Sequence, residues 1–81
     1  MSLNLKIVSP ERVVFDGSVE NVVVPGTLGR FEILVDHAPI ISSLEAGDVE
    51  YTISGGEKTQ FGILGGFVEV QKNRVSLCVE L

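Results

Sequence analysis

Apolar and polar residues alternate with a period of two along almost the whole chain, and that period predicts strands. Leu3, Leu5 and Ile7 share one face, with Asn4 and Lys6 opposite, until Ser9-Pro10 interrupts the run. Val13 and Phe15 follow, and Asp16-Gly17 reads as a turn. Val19 to Val24 is β-branched and almost continuously apolar, as in a strand covered on both faces, and Pro25-Gly26 ends it. Phe31, Ile33 and Val35 alternate with Glu32 and Leu34. Ile40-Ile41 leads through Ser42-Ser43 to a turn expected at Ala46-Gly47-Asp48, and Val49, Tyr51 and Ile53 form the cleanest strand.

No window holds a 3.6-residue period for the ~10 residues a helix needs. Ser42-x-x-Glu45 has the outline of a capping box, but Gly47 arrives before a helix could develop. The pattern therefore predicts an all-β fold of about nine or ten short strands with no significant helix. Turns this frequent imply two sheets packed as a sandwich, or a flattened barrel.

Side-chain phase constrains the hairpins. A two-residue Gly55-Gly56 loop would set Tyr51 against Gln60 and Glu50 against Phe61. A three-residue loop, Gly55-Gly56-Glu57, pairs Tyr51 with Phe61 and Ile53 with Thr59, which keeps the apolar face together. The opposite holds for the last hairpin. A two-residue loop at Lys72-Asn73 sets Val70 against Val75 and Val68 against Leu77, and Asn tolerates the left-handed conformation.

With 81 residues, 1–81 forms one domain. A chain this short buries roughly 60–65% of its unfolded surface, so its stability margin is thin. Cys78 is the only cysteine, which fits a reducing compartment such as the cytoplasm. Eleven acidic against six basic residues give a net charge of −5. That balance disfavours a nucleic-acid partner and direct binding to anionic lipid. Apolar runs reach about four residues, against the ~20 of a membrane span. Met1-Ser2-Leu3 leads straight into alternation, so no export signal is expected.

Candidate chemistry is sparse. Asp36-His37 invites a catalytic interpretation, but neighbours in an extended segment point to opposite faces, and Ala38 precedes Pro39 and is itself biased to extended backbone. His37 has no second histidine, and Cys78 supplies no ligand spacing for a metal. A structural or docking role is expected. Gly26-x-x-Gly29 lacks the Lys-Ser/Thr of a phosphate loop and opens no helix. Gly65-Gly66 marks a bulge or a close backbone approach. Cys78 is expected to be half-buried and inert. Glu45, Asp48, Glu50 and Glu57 gather around turns, where a hydrated surface is the ordinary outcome and glycoside hydrolysis is not expected. By its residues alone, the chain is a small acidic all-β binding or structural module.

Three segments carry a resemblance: LKIVSPERVVFDGSVENVVVPG at the start, DHAPIISSLEAGDV in the middle and GILGGFVEVQKNRVSLCVEL at the end. In order and spacing they are similar, over the whole chain, to the N-terminal β-domain of the epsilon subunit of F-type ATP synthases. The resemblance implies a flattened sandwich of about ten strands. It also implies a non-catalytic rotor subunit at the foot of the central stalk, without metal or cofactor. Such a subunit binds the gamma subunit and the c-ring and helps couple proton-driven rotation to ATP synthesis. It is peripheral, on the cytoplasmic face of the bacterial plasma membrane, without inserting into it. The family's ring-facing loop matches Gly29, Arg30, Phe31 and Glu32. Its His-Ala-Pro motif matches His37, Ala38 and Pro39 near gamma, and Ser9 and Ser42 match other positions at or near that surface.

Two departures accompany it. Many members read Gly-Ile-Leu-Pro-Gly-His-Ala-Pro where this chain has Glu32 to Pro39, and losing a proline and two glycines should stiffen or reshape the loop. Most members also continue into a C-terminal helical hairpin that inhibits hydrolysis and in some binds ATP. No helical segment follows the strands here, so neither inhibition nor nucleotide binding is expected. The alternative is a free-standing cytoplasmic β-sandwich module for a peptide or small ligand.

Overall fold

In the computed structural model, which describes residues 2–81, the alternation becomes eight strands of one hydrogen-bonded sheet, with no helix among the described residues. They are β1 (Leu3–Val8), β2 (Val13–Gly26), β3 (Gly29–Ile33), β4 (Ile40–Leu44), β5 (Gly47–Ile53), β6 (Lys58–Ile63), β7 (Gly65–Gln71) and β8 (Arg74–Glu80). Their order is β1-β8-β7-β4-β2-β5-β6, with β3 on β2 and a further pairing of β1 with β2. The first and last strands run side by side in parallel, Leu5 beside Val75 and Ile7 beside Leu77. Every other pairing is antiparallel.

The strand count is eight rather than ten, and β2 shows why. Asp16-Gly17 makes no turn. The chain runs straight through it, Leu5 facing Gly17 and Ile7 facing Phe15. Gly17 has a packing role instead, since a Cβ there would lie 3.1 Å from the Phe15 ring. Nor is Val19–Val24 covered on both faces throughout. Val19 is fully buried and Glu20 exposed; beyond them Val22 and Val24 are fully buried while Val23 is only half-buried. The pairing with β5 slips between Val19 and Asn21. That one-residue bulge moves the inward face from odd to even positions, which lets a single strand serve two parts of the sheet.

Other boundaries also move. The turn after β4 is Glu45-Ala46, and Gly47 and Asp48 belong to β5. Gly47 is held there by packing, because a Cβ on it would sit 2.9 Å from Pro25 Cβ. Val35 lies outside β3, in a turn. The β5–β6 loop has the expected odd length but is Ser54-Gly55-Gly56, so Tyr51 faces Thr59 and Val49 faces Phe61. Phase alone separates odd from even loops and cannot choose between registers two residues apart. Both glycines take positive φ, 110° and 96°. The last hairpin has the expected register, Val70 on Val75 and Val68 on Leu77, with Lys72 and Asn73 both left-handed.

The inward positions meet in one core. Leu3, Leu5, Ile7, Leu77 and Ile33 are fully buried, and no polar or charged side chain is buried with them among the described residues. Burying each such side chain stabilises the fold by roughly 1.5–3 kcal/mol. At one side Phe15, Tyr51 and Phe61 stack in series, with ring centroids 4.5 and 6.5 Å apart. Gly65-Gly66 is the close approach its composition suggested. A Cβ on Gly66 would collide with the Cys78 carbonyl oxygen.

Candidate functional site

The Asp36-His37 pair sits in a turn from Leu34 to His37, closed by the His37 N–H donating to the Leu34 carbonyl at 3.2 Å. Asp36 takes φ 65°, the value a type II turn demands at its third position. Asp36 thus adopts the left-handed conformation that glycine favours. Its backbone N–H donates to Asn73 Oδ1 at 2.6 Å, and Asn73 Nδ2 donates back to Asp36 Oδ1 at 3.1 Å. The carboxylate is thus engaged with Asn73. His37 Nδ1 lies 2.7 Å from its neighbour's carbonyl oxygen, Ala38 O. Among the described residues no acid orients the imidazole and no nucleophile adjoins it. The pair has no general-base geometry.

Ser9 and His37–Pro39 border the outer face of β4-β7-β8-β1, whereas Ser42 lies on the inner side of β4. Across that face runs the row Ser43, Phe67, Cys78, Val8 and Val13. Phe67 is 50%, Val13 53% and nearby Ile41 75% exposed, a run of apolar side chains facing water. Ser9 and Pro10 close one end of the row, where a shallow cleft lies between them and Phe67. Pro39 and Ile41 line another depression beside Glu69. Ser42 itself is half-buried on the inner side, and its Oγ donates to the Ser43 carbonyl at 3.2 Å. Ser9 is fixed by its N–H and Oγ, both donating to the Arg12 carbonyl at 2.9 and 3.3 Å.

Gly29, Arg30, Phe31 and Glu32 form a second group, and they lie on strand β3 rather than in a loop. Gly29 pairs with Gly26 across a tight hairpin and takes φ 134°, which a side chain would oppose. Phe31 packs against the core. Arg30 reaches over β2, donating to the Asp48 carbonyl and to Glu50 Oε2, each at 2.6 Å. Lys58 Nζ stands 3.2 Å from the other Glu50 oxygen. Arg30 first, then Lys58, hold the Glu50 carboxyl below its usual range by donating to it, against a smaller upward push from burial. Glu32 Oε2 accepts from Asn21 Nδ2 at 2.6 Å. Both charged members of the group are therefore engaged within the chain. The part left open is the hairpin tip, Thr27-Leu28, where Leu28 is fully exposed.

Sequence reasoning missed Leu28, Phe67 and Ile41 as surface features, and Asn73 as anything but a turn residue. A leucine between Gly26 and Gly29 was a visible signal; the others depend on pairings between distant strands. Gly26-x-x-Gly29 is that hairpin turn and opens no helix. The remaining carboxylates are surface groups, Asp48 Oδ2 accepting from Gln60 at 2.8 Å.

A family model described as the ATP synthase delta/epsilon chain beta-sandwich domain matches residues 2–81. The ATP synthase epsilon chain of Leptospira borgpetersenii serovar Hardjo-bovis is 42% identical over 79 residues, covering 96% of this chain and 61% of that protein. That of Chlorobaculum tepidum is 37% identical, covering 98% and 90%. The chloroplastic epsilon chain of Emiliania huxleyi is 35% identical, covering 95% and 58%. The chain thus spans about three fifths of the first and third of these relatives. Among solved structures, a chain of the Euglena gracilis mitochondrial ATP synthase (OSCP/F1/c-ring) superimposes with TM-score 0.91 at 22% identity. The match covers 96% of this chain and 50% of that one, and at this identity it shows the fold. So does a chain of the Tetrahymena thermophila mitochondrial ATP synthase central stalk and c-ring, with TM-score 0.81 and 16% identity, covering 100% and 65%.

Proposed function

The chain belongs to the family of ATP synthase delta/epsilon chain beta-sandwich domains, and we propose that it is a non-catalytic rotor part of an F-type ATP synthase. In this role it binds the gamma subunit and the c-ring and helps couple proton-driven rotation to ATP synthesis. It stands as a flattened two-layer sandwich on the cytoplasmic side of the bacterial plasma membrane. The observation that carries this is the family match across 2–81. Placement of the family's positions supports it. Ser9 and His37–Pro39 border the face that exposes Phe67, Val13 and Ile41, suited to gamma, whereas Gly29–Glu32 belong to a separate hairpin, suited to the ring. A short-turned sheet whose first and last strands are paired resists shear, as a torque-bearing part should.

The test is a titration of the chain against its cognate gamma subunit at micromolar concentration. A one-to-one complex is expected, with no ATPase activity in the chain alone. Failure to bind would overturn the proposal. Phe67→Asp should weaken the complex at least tenfold, since a charge would be desolvated at the contact. A free-standing module for a small ligand would instead require an enclosed apolar pocket. The depressions found are open to solvent.

A further inference from the structure

We infer that Asn73 is the positioning residue that presents His37-Ala38-Pro39 to the gamma subunit. The inference rests on the rotor proposal for the identity of the partner, but its geometry stands independently. Asn73 lies in the β7–β8 turn, 34 to 36 positions from the motif in sequence, and three elements converge on it. Its side-chain oxygen accepts from the Asp36 N–H at 2.6 Å, its amide nitrogen donates to Asp36 Oδ1 at 3.1 Å, and its backbone carbonyl accepts from the Asn4 N–H at 2.9 Å. The side chain thereby joins the turn before the motif to the β7–β8 hairpin, and the backbone carbonyl of the same residue joins that hairpin to the N-terminal strand.

The need for such a tie follows from the turn itself. Asp36 stands at φ 65°, which glycine adopts freely and which costs an ordinary residue strain. Val35 at the preceding position lacks the fixed φ of proline. Locally, then, Val35-Asp36 is a poor type II turn. The reciprocal pair of hydrogen bonds from Asn73 supplies from a distance what local sequence does not. Asn73 can do so because it is itself left-handed, at φ 60°, a conformation Asn tolerates. His37, Ala38 and Pro39 follow directly, so the turn sets the direction in which they leave it. In this chain the loop is held from outside rather than by its own residues.

The test uses Asn73→Gly, which preserves the left-handed turn and removes only the side chain. Hydrogen exchange at the Asp36 amide should be slow in the wild type and accelerated at least tenfold in the variant. Affinity for gamma should fall about three- to tenfold, the effect of losing one or two hydrogen bonds. Asp36→Gly should restore it, because glycine holds the turn without assistance: N73G/D36G should bind gamma within about twofold of D36G alone. A merely structural role for Asn73 would show instead as a lowered melting temperature that D36G does not repair. If N73G proves too unstable to handle, Asn73→Asp substitutes for it, since it keeps the acceptor for the Asp36 N–H but repels the Asp36 carboxylate. Wild-type affinity in Asn73→Gly or Asn73→Asp, or an unprotected Asp36 amide in the wild type, overturns the inference. If the wild type itself does not bind gamma, the rotor proposal falls, and amide exchange still decides whether Asn73 holds the turn.

Discussion

Gly66 and Gly55 show how differently one residue type is used. Both have positive φ, 151° and 110°, but Gly66 lies against the Cys78 backbone while nothing stands within 4 Å of a Cβ on Gly55. Gly66→Ala should therefore cost roughly 2–4 kcal/mol, strain and collision together, and Gly55→Ala only about 1 kcal/mol. Urea unfolding of the two variants checks the order, and equal losses would contradict it. Glu50 carries the other prediction at this scale. Its folded-state pKa is lowered by Arg30 and Lys58. A lowered pKa means that folding favours the charged form. The contribution is thus present above the unfolded carboxyl's pKa and is lost as pH falls through the folded value. Acidification from neutrality through the carboxylate range should destabilise the wild type more than Glu50→Gln. Parallel pH profiles for the two proteins would show that the pairing contributes nothing, as holds for many exposed ion pairs.

Strands and hairpins add what single residues lack: phase. The β7–β8 hairpin was legible because an even loop keeps Val68, Val70, Val75 and Leu77 on a common face and Asn73 is a residue that a two-residue loop favours. The β5–β6 loop was legible in parity but not in register, since Tyr51 facing Thr59 and Tyr51 facing Phe61 satisfy the same rule. The bulge at Glu20 was illegible, because a run of valines conceals a change of face that polar alternation would reveal. At Lys72 the hairpin also holds a correctable flaw. Both loop residues are left-handed, and lysine tolerates that conformation less well than asparagine. Lys72→Asn should stabilise the protein by roughly 0.5–1 kcal/mol, read as a higher urea midpoint at unchanged slope. A lower midpoint would refute the turn assignment.

Across the whole molecule, β1 and β8 bind the two ends of the chain into one cooperative unit. Leu77 is fully buried between Ile7 on β1 and Val68 on β7, so truncating it opens a cavity where the first and last strands meet. Leu77→Ala should cost roughly 2–5 kcal/mol. A domain of this size has a total stability of about 4–12 kcal/mol, so melting should drop by on the order of 10 °C or more. A drop of a few degrees, or a melt in separate phases, would contradict a single core. The outer face tells the complementary story. Phe67, Ile41 and Val13 keep half or more of their surface in water, and that exposure is the natural complement of a partner's apolar surface.

The sequence by itself determined the fold class, the faces of most strands, the last hairpin and the family. Each of these depends on local periodicity or on motifs in a set order, both of which are properties of neighbours along the chain. The extended backbone it implied at Asp36-His37 is a turn instead, with Asp36 at φ 65°. Only the tertiary structure decided that Arg30 and Glu32 are engaged within the chain, that Leu28 rather than they caps the hairpin, and that Asn73 holds the turn before His37. Those facts depend on which strands lie side by side. Strand order arises from burying all the inward faces in one core, and no single segment encodes that.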